Sequence, residues 1–157
     1  MIKDIVMAPS KILRNVAKDV VMFDAILIRI VTDMSDTMHS LSGIGIAAPQ
    51  IGVSLRAIIL NIPNIPEFVL INPEIVYKSG TRYVTEGCLS IPGETGLVAR
   101  SEFVRVRGYG LDGQILHLNR AEGLLSQALE HEIDHLNGKL YTDILGRNLK
   151  EIGKQRR

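Results

Sequence analysis

Tryptophan is absent from this chain and aromatic residues make up only 4% of it, so any core must be assembled from Ile, Leu, Val and Ala. There is a single cysteine, Cys88, which excludes an intramolecular disulfide and fits a reducing compartment. No stretch approaches the roughly 20 apolar residues needed to cross a bilayer. The start, MIKDIVMAPSKILRN, carries acidic Asp4 and no long apolar run, so it reads as neither a secretory signal nor a transit peptide. A cytoplasmic protein with no membrane partner is expected. Charge excess is also missing: 18 Lys and Arg face 17 Asp and Glu. That balance argues against nucleic-acid recognition, which needs a clear basic surplus. The short basic tail Lys154, Gln155, Arg156, Arg157 reads as a solvated terminus.

What is present fits one domain, expected to span 1–157 and to be monomeric: 157 residues, 46% of them apolar, without repeats, low-complexity tracts or linkers. Segment 22–42 has Ile26, Leu27, Ile30, Val31, Met34, Met38 and Leu41 at helical spacing, predicting an N-terminal helix that Gly43 stops. His39 falls on its other side and reads as solvated. Segment 43–52 is glycine-rich and reads as a loop. Short strands are expected at 55–60, at 68–72 (ended by Pro73), and at 81–85 leading into the cysteine. Residues 102–107 alternate apolar and charged, and Asp112-Gly113 signals a hairpin returning through 115–118. Segment 123–137 reads as a second helix closed by Asn137-Gly138. Two helices among many short strands predict an α+β fold with antiparallel sheet.

The sharpest local signal is His131-Glu132-Ile133-Asp134-His135. Residues four apart on a helix share a face about 6 Å apart along the axis, so His131 and His135 can hold one metal ion together. Glu132 projects beside them, within reach of a water at that ion. Leu124, Ala128, His131 and His135 share one stripe, and Leu125, Leu129, Ile133 and Leu136 form a second. Glu132 lies between the two, with Ser126, Gln127, Glu130, Asp134 and Asn137 on the opposite side. Both imidazoles and the carboxyl therefore fall within the core-facing arc. Burying them costs several kcal/mol unless they are paired or bind metal. The plain alternative is two satisfied core histidines beside a buried glutamate.

A third ligand is needed for a catalytic site, which keeps its remaining position open. Cys88 in Glu86-Gly87-Cys88-Leu89-Ser90 offers a thiolate, although a lone cysteine is more often a small buried hydrophobe. His117, in an alternating strand, competes with it. The residues alone reach a metal-dependent hydrolase and no further.

Gly43-Ile44-Gly45-Ile46-Ala47-Ala48-Pro49-Gln50 resembles the first motif of peptide deformylases, G-x-G-x-A-A-x-Q. Glu86-Gly87-Cys88-Leu89-Ser90 is similar to the second, E-G-C-L-S, and His131 to His135 to the third, H-E-x-D-H. All three stand in the family's order, and the resemblance runs from Lys11-Ile12-Leu13-Arg14 to about Ile144. It implies an α+β fold with antiparallel sheets packed around the helix bearing the two histidines. It also implies hydrolysis of the formyl group from the N-terminal formyl-methionine of new proteins, releasing formate. Cys88, His131 and His135 would be the metal ligands and Glu132 the general acid/base. The Gln50 side chain and the Leu89 backbone N–H would hold the oxyanion, although without the motif Gln50 reads as a loop amide facing water. The metal would be one Fe²⁺, with Ni²⁺, Co²⁺ or Zn²⁺ as substitutes. Two positions depart from common family forms. Glu130 replaces a frequent Gln, and in the loop expected after Cys88, Ile91-Pro92-Gly93-Glu94-Thr95-Gly96, Thr95 or Gly96 stands where a basic residue is common, which bears on contacts with the far part of the substrate.

A methionine side chain needs an apolar pocket near the metal, for which Ile44, Val84, Leu124 and Ala128 are the expected walls. The backbone at Gly43 to Gly45 is expected to pair with the extended substrate as an added strand. Glu86 is expected to pair with Arg100 in support of the cysteine loop, with Asp134 as an alternative partner or a solvated residue. Partners would be formyl-methionyl nascent peptides, with docking on the ribosome left open. The chain ends soon after Ile152, so a long C-terminal docking helix is not expected. One rival reading is a zinc endopeptidase using H-E-x-x-H, which would need a downstream Glu or His ligand. The other is a non-catalytic homologue that binds nascent chains or ribosomes, which would be expected to have lost Glu132, Gln50 or a ligand.

Overall fold

A computed structural model describes residues 1–145; the tail residues Lys154 to Arg157 and any helix near Ile152 lie outside the described residues. The first helix, α1, spans Ala25–Ser40, shorter than the apolar periodicity predicts. Asp24 sets its start, with its carboxylate accepting from the Ile26 and Leu27 N–H groups at 3.1 Å. Its end is set by Ser42, which takes the left-handed conformation at φ 54°, rather than by Gly43. His39 is exposed but not merely solvated, since it meets Glu67 at 2.5 Å.

Five strands form one antiparallel sheet in the order β1 (Gly45–Ala47), β2 (Ala57–Leu60), β3 (Phe68–Ser79), β6 (Phe103–Tyr109), β7 (Ile115–Glu122). The two between, β4 (Arg82–Cys88) and β5 (Ile91–Arg100), form a separate antiparallel hairpin. The second helix, α2, spans Gly123–Leu136.

The buried run Ala57-Ile58-Ile59-Leu60 shows why the sequence reads continuously apolar there. Ile58 and Leu60 join a core with Ala128, Leu129, Ile133 and Leu136 of α2, whereas Ala57 and Ile59 join one with Leu27, Val31, Met34 and Met38 of α1. A strand covered by a helix on each face has no solvent side on which to place polar residues.

Three expectations need correction. Part of the predicted loop 43–52 is strand β1, followed by a short 3-10 helix, Ala48–Ile51. Its residues pair with β2 (Gly45 opposite Leu60) and are buried, so glycine content misled the reading. Pro73 does not end β3. The register shifts between Ile71 and Glu74, a bulge that accommodates a residue unable to donate to the ladder. Asn72 takes φ 51° in that bulge, and its side chain holds both the N–H and the C=O of Val20. Finally, the stretch after Cys88 is strand β5, not a loop.

The Asp112-Gly113 turn does join β6 and β7, with Gly113 at φ 77°. Helix α2 closes at Asn137-Gly138, where Gly138 takes φ 73°. A Cβ at Gly138 would collide with the backbone carbonyl of Arg14. Gly138→Ala is therefore expected to destabilise the fold by at least about 2 kcal/mol, from left-handed strain plus the clash. An unchanged denaturant midpoint would refute this. No helix among the described residues is long and apolar enough to cross a membrane.

Candidate metal centre and active site

Helix α2 lies between the five-stranded sheet and the β4–β5 hairpin, and this decides what its polar side does. Much of the side opposite the apolar arc meets the hairpin and its flanks rather than water: Ser126 and Glu130 are buried, and Gln127 and Asp134 are half-buried. Ser126 accepts from Arg82 at 3.2 Å and Gln127 donates to the Thr85 carbonyl at 3.3 Å. The Glu130 carboxylate accepts the Ser101 N–H at 2.6 Å, a role that suits an anionic acceptor where a glutamine is common. Asp134 accepts from Arg100 at 2.8 Å. Asn137 alone of this group is exposed, where it accepts from Arg56 at 3.1 Å.

The same packing brings the thiol to the imidazoles. Cys88 ends β4, and its Sγ lies 3.3 Å from Nε2 of His135. One ligand atom from each of Cys88, His131 and His135 falls within 4.8 Å of the others. A tetrahedral ion with about 2.3 Å to sulfur and about 2.1 Å to nitrogen would set its ligand atoms about 3.4–3.6 Å apart, so the donor set fits such an ion. His131 is turned by its other nitrogen, Nδ1, which meets Glu86 at 2.7 Å. His117, the competing third ligand, stands exposed on β7 opposite Arg107 and is not part of the cluster.

Glu86 is held in turn by Arg100, which donates to both of its oxygens at 2.6 and 2.7 Å. Arg100 thus takes Glu86 and Asp134 together, where the sequence left one or the other. Burial pushes the Glu86 carboxyl up, but Arg100 and His131 outweigh it and hold it at about 2. Burial pushes His131 down, yet its bonds to Cys88 and Glu86 raise it to about 10. Burial lowers His135 to about 3. Glu132 is only 5% exposed, and its Oε2 has no hydrogen-bond partner among the described residues. Burial pushes its carboxyl up to about 7. An unpartnered buried carboxylate within 4.0 Å of Nε2 of His131 is costly unless something else occupies its side of the site.

Glu86, Cys88, His131 and Glu132 line a cavity of about 820 Å³, which His135 and Arg100 support from behind without lining it. Gln50, Leu89, Gly43, Ile44, Gly45, Leu124 and Ala128 all reach it. Val84 does not. It lies opposite Val98 two residues before Glu86, about 7 Å back along the strand and beyond the end of the cavity. Thr85 and Gly87 line the wall there. Gln50 is not the water-facing loop amide its setting first implies, for it is 1% exposed. Its Oε1 accepts from the Ala47 N–H at 2.9 Å.

Three contributors went unread in the sequence. Ser90, 1% exposed, accepts from Gln50 at 3.2 Å; its place beside Cys88 was the available signal. Tyr141 stacks on His131 with centroids 6.4 Å apart, with no local pattern to mark it. The N-terminal residues Ile2 to Ile5 and Met7 line the cavity rim, which no periodicity could show.

Gly45 keeps room for Glu132. A Cβ there would stand 2.9 Å from Oε1 and 3.1 Å from Cγ of Glu132. Because the added carbon meets the end of the Glu132 side chain, which can shift towards the cavity it lines, Gly45→Ala is expected to displace the carboxylate and lower kcat by about one to two orders of magnitude, with little change in melting temperature. Wild-type turnover in that variant would show that the carboxylate has slack.

Together these groups can bind a divalent ion and carry a proton to or from a molecule beside it, which places the chain among candidate metal-dependent hydrolases. The family model described as polypeptide deformylase matches residues 2–151. A peptide deformylase of Dehalococcoides mccartyi (strain CBDB1) is 47% identical over 148 residues, covering 92% of this chain and 88% of its own. The crystal structure of a peptide deformylase from Legionella pneumophila superposes with a TM-score of 0.89 at 40% identity, covering 99% of this chain and 98% of its own. A Met-Ala-Ser-bound class I type b peptide deformylase from Acinetobacter baumannii gives a TM-score of 0.87 at 32% identity, covering 92% and 98%.

The chain belongs to the polypeptide deformylase family. It is a metallohydrolase that removes the N-formyl group from nascent peptides, which sets aside the endopeptidase reading.

Proposed function

We propose that Cys88, His131 and His135 hold one divalent ion, Fe²⁺ natively with Ni²⁺, Co²⁺ or Zn²⁺ as substitutes, and that Glu132, Gln50 and the Leu89 N–H carry out the chemistry around it. The observation that carries this reading is the mutual proximity of the three donor atoms, within 4.8 Å, beside a buried carboxylate with an unpartnered oxygen. A thiolate with two imidazoles suits such ions. When bound, the ion supplies Lewis-acid activation of water and of a carbonyl oxygen.

Glu132 takes a proton from water as the water oxygen attacks the formyl carbon. The carbonyl oxygen gains negative charge, and the Gln50 amide and the Leu89 N–H, the latter in the turn between β4 and β5, donate to it. Glu132 then delivers its proton to the departing nitrogen as the C–N bond breaks. Formate and a free α-amine result.

The Met-Ala-Ser peptide named for the Acinetobacter baumannii structure is of the kind left by this reaction. In this chain the methionine side chain lies against Ile44, Leu124 and Ala128, which line the cavity, and the peptide backbone runs beside Gly43 to Gly45. The chain works as a single catalytic domain, monomeric and cytoplasmic, on formyl-methionyl nascent chains.

The test is formate release from formyl-Met-Ala-Ser by anaerobically purified protein, with metal analysis of the same sample. Cys88→Ala should lose both metal and turnover. Full metal content in that variant would defeat the ligand assignment. Metal binding without formate release by the unaltered protein would favour the non-catalytic reading.

A further inference from the structure

The two groups that receive the developing oxyanion sit on different parts of the chain, Gln50 after β1 and Leu89 in the β4–β5 turn. Something must hold one relative to the other, because a donor misplaced by about 1 Å loses most of its effect. Gln50 is pinned at both ends of its amide. The oxygen accepts from Ala47 N–H at 2.9 Å, and the nitrogen donates to Ser90 Oγ at 3.2 Å and to Cys88 Sγ at 3.7 Å. The short bond to Ser90 fixes one N–H, and the other is thereby aimed at the Cys88 sulfur over a longer, weaker contact, on the side where the oxyanion would form.

Ser90 directly follows Leu89, so one hydroxyl ties the Gln50 amide to the turn that carries the second donor. The N-terminal segment repeats the tie with its backbone. Val6 N–H donates to the Gln50 carbonyl at 2.8 Å, and Ala8 N–H to the Ser90 carbonyl at 3.0 Å. Ser90 is 1% exposed, so water does not compete for its hydroxyl.

We infer that Ser90 is a positioning residue for catalysis. Its hydroxyl, with the Val6–Ala8 backbone as a second strap, fixes the Gln50 amide relative to the Leu89 N–H, and it acts on the reaction only through Gln50. The inference rests on the oxyanion role proposed for Gln50.

The experiment is a double-mutant cycle with Ser90→Ala, Gln50→Ala and the pair, on metal-loaded full-length enzyme, reading kcat and KM for formyl-Met-Ala-Ser, metal content and melting temperature. Gln50→Ala should lower kcat roughly a hundredfold, as loss of one oxyanion donor does. Ser90→Ala should lower kcat about tenfold with KM nearly unchanged, and should have no further effect when Gln50 is already alanine. Val6→Pro, which removes one backbone tie, should show the same dependence on Gln50.

If Ser90→Ala lowers kcat by the same factor in both backgrounds, or not at all in the first, the positioning role is overturned while Gln50 keeps its own. If Gln50→Ala itself leaves kcat unchanged, the oxyanion assignment fails first. A loss in Ser90→Ala that follows lowered metal content would place the serine's effect on Cys88 instead, and would also overturn the inference.

Discussion

Glu132→Gln protein is expected to keep its metal and its melting temperature, or to gain a degree or more, while releasing formate about a thousandfold more slowly or worse. The two halves of that expectation share one cause. Glu132 is 5% exposed, one of its oxygens has no partner among the described residues, and burial pushes its carboxyl to about 7. Such a group contributes nothing favourable to the resting fold, so a neutral isostere relieves a desolvation penalty. It does not ligate the proposed ion, so metal content should hold. What an amide cannot do is take a proton from water and return it to the leaving nitrogen. Turnover above about a tenth of wild type would remove Glu132 from the proton pathway. A melting temperature lowered by several degrees would show that the carboxylate is a structural acceptor.

Arg100→Leu should have the opposite profile, with stability failing first. Arg100 is 5% exposed, donates to both oxygens of Glu86 and reaches Asp134 as well. Removing it leaves a buried carboxylate without its counter-charge and frees the group that orients His131, for a loss of about 3–5 kcal/mol at neutral pH. Arg100→Lys should recover only part, because one ammonium cannot present a planar fork to Glu86 and still reach Asp134. The pH dependence follows in sign from Glu86. Its folded pKa lies at about 2 against an ordinary 4.5, so its contribution is complete above 4.5 and disappears as pH falls towards 2. Wild type and Arg100→Leu should therefore converge in stability in acid. A constant gap across that window would mean that the arginine acts through packing rather than charge.

How much of this was legible beforehand depended on the range of the interaction. Helix α2 and its two imidazoles were readable because helical periodicity is local and places residues four apart on one face. The Asp112-Gly113 turn was readable for the same reason. What covers the polar side of α2 was not legible, because amphipathicity reports which residues are polar, not whether water or another polar surface meets them. Here Arg82, Arg100 and Ser101 meet them. Strand β5 was missed because its pairing with β4 outweighs weak local propensity at Pro92, Gly93 and Gly96. Val84 was placed in the pocket by its apolar character alone, and only the hairpin register shows where the cavity ends.

By itself the sequence determined the chemistry available to this protein. It supplies one thiol, two imidazoles a helical turn apart, a carboxyl between apolar stripes, an aliphatic core and three motifs in family order. Only the tertiary structure decided that Cys88 rather than His117 joins the imidazoles, that Arg100 serves two carboxylates at once, and that Ser90 reaches Gln50. Spacing along a chain fixes neighbours within an element, whereas contacts between elements are set by how buried faces pack.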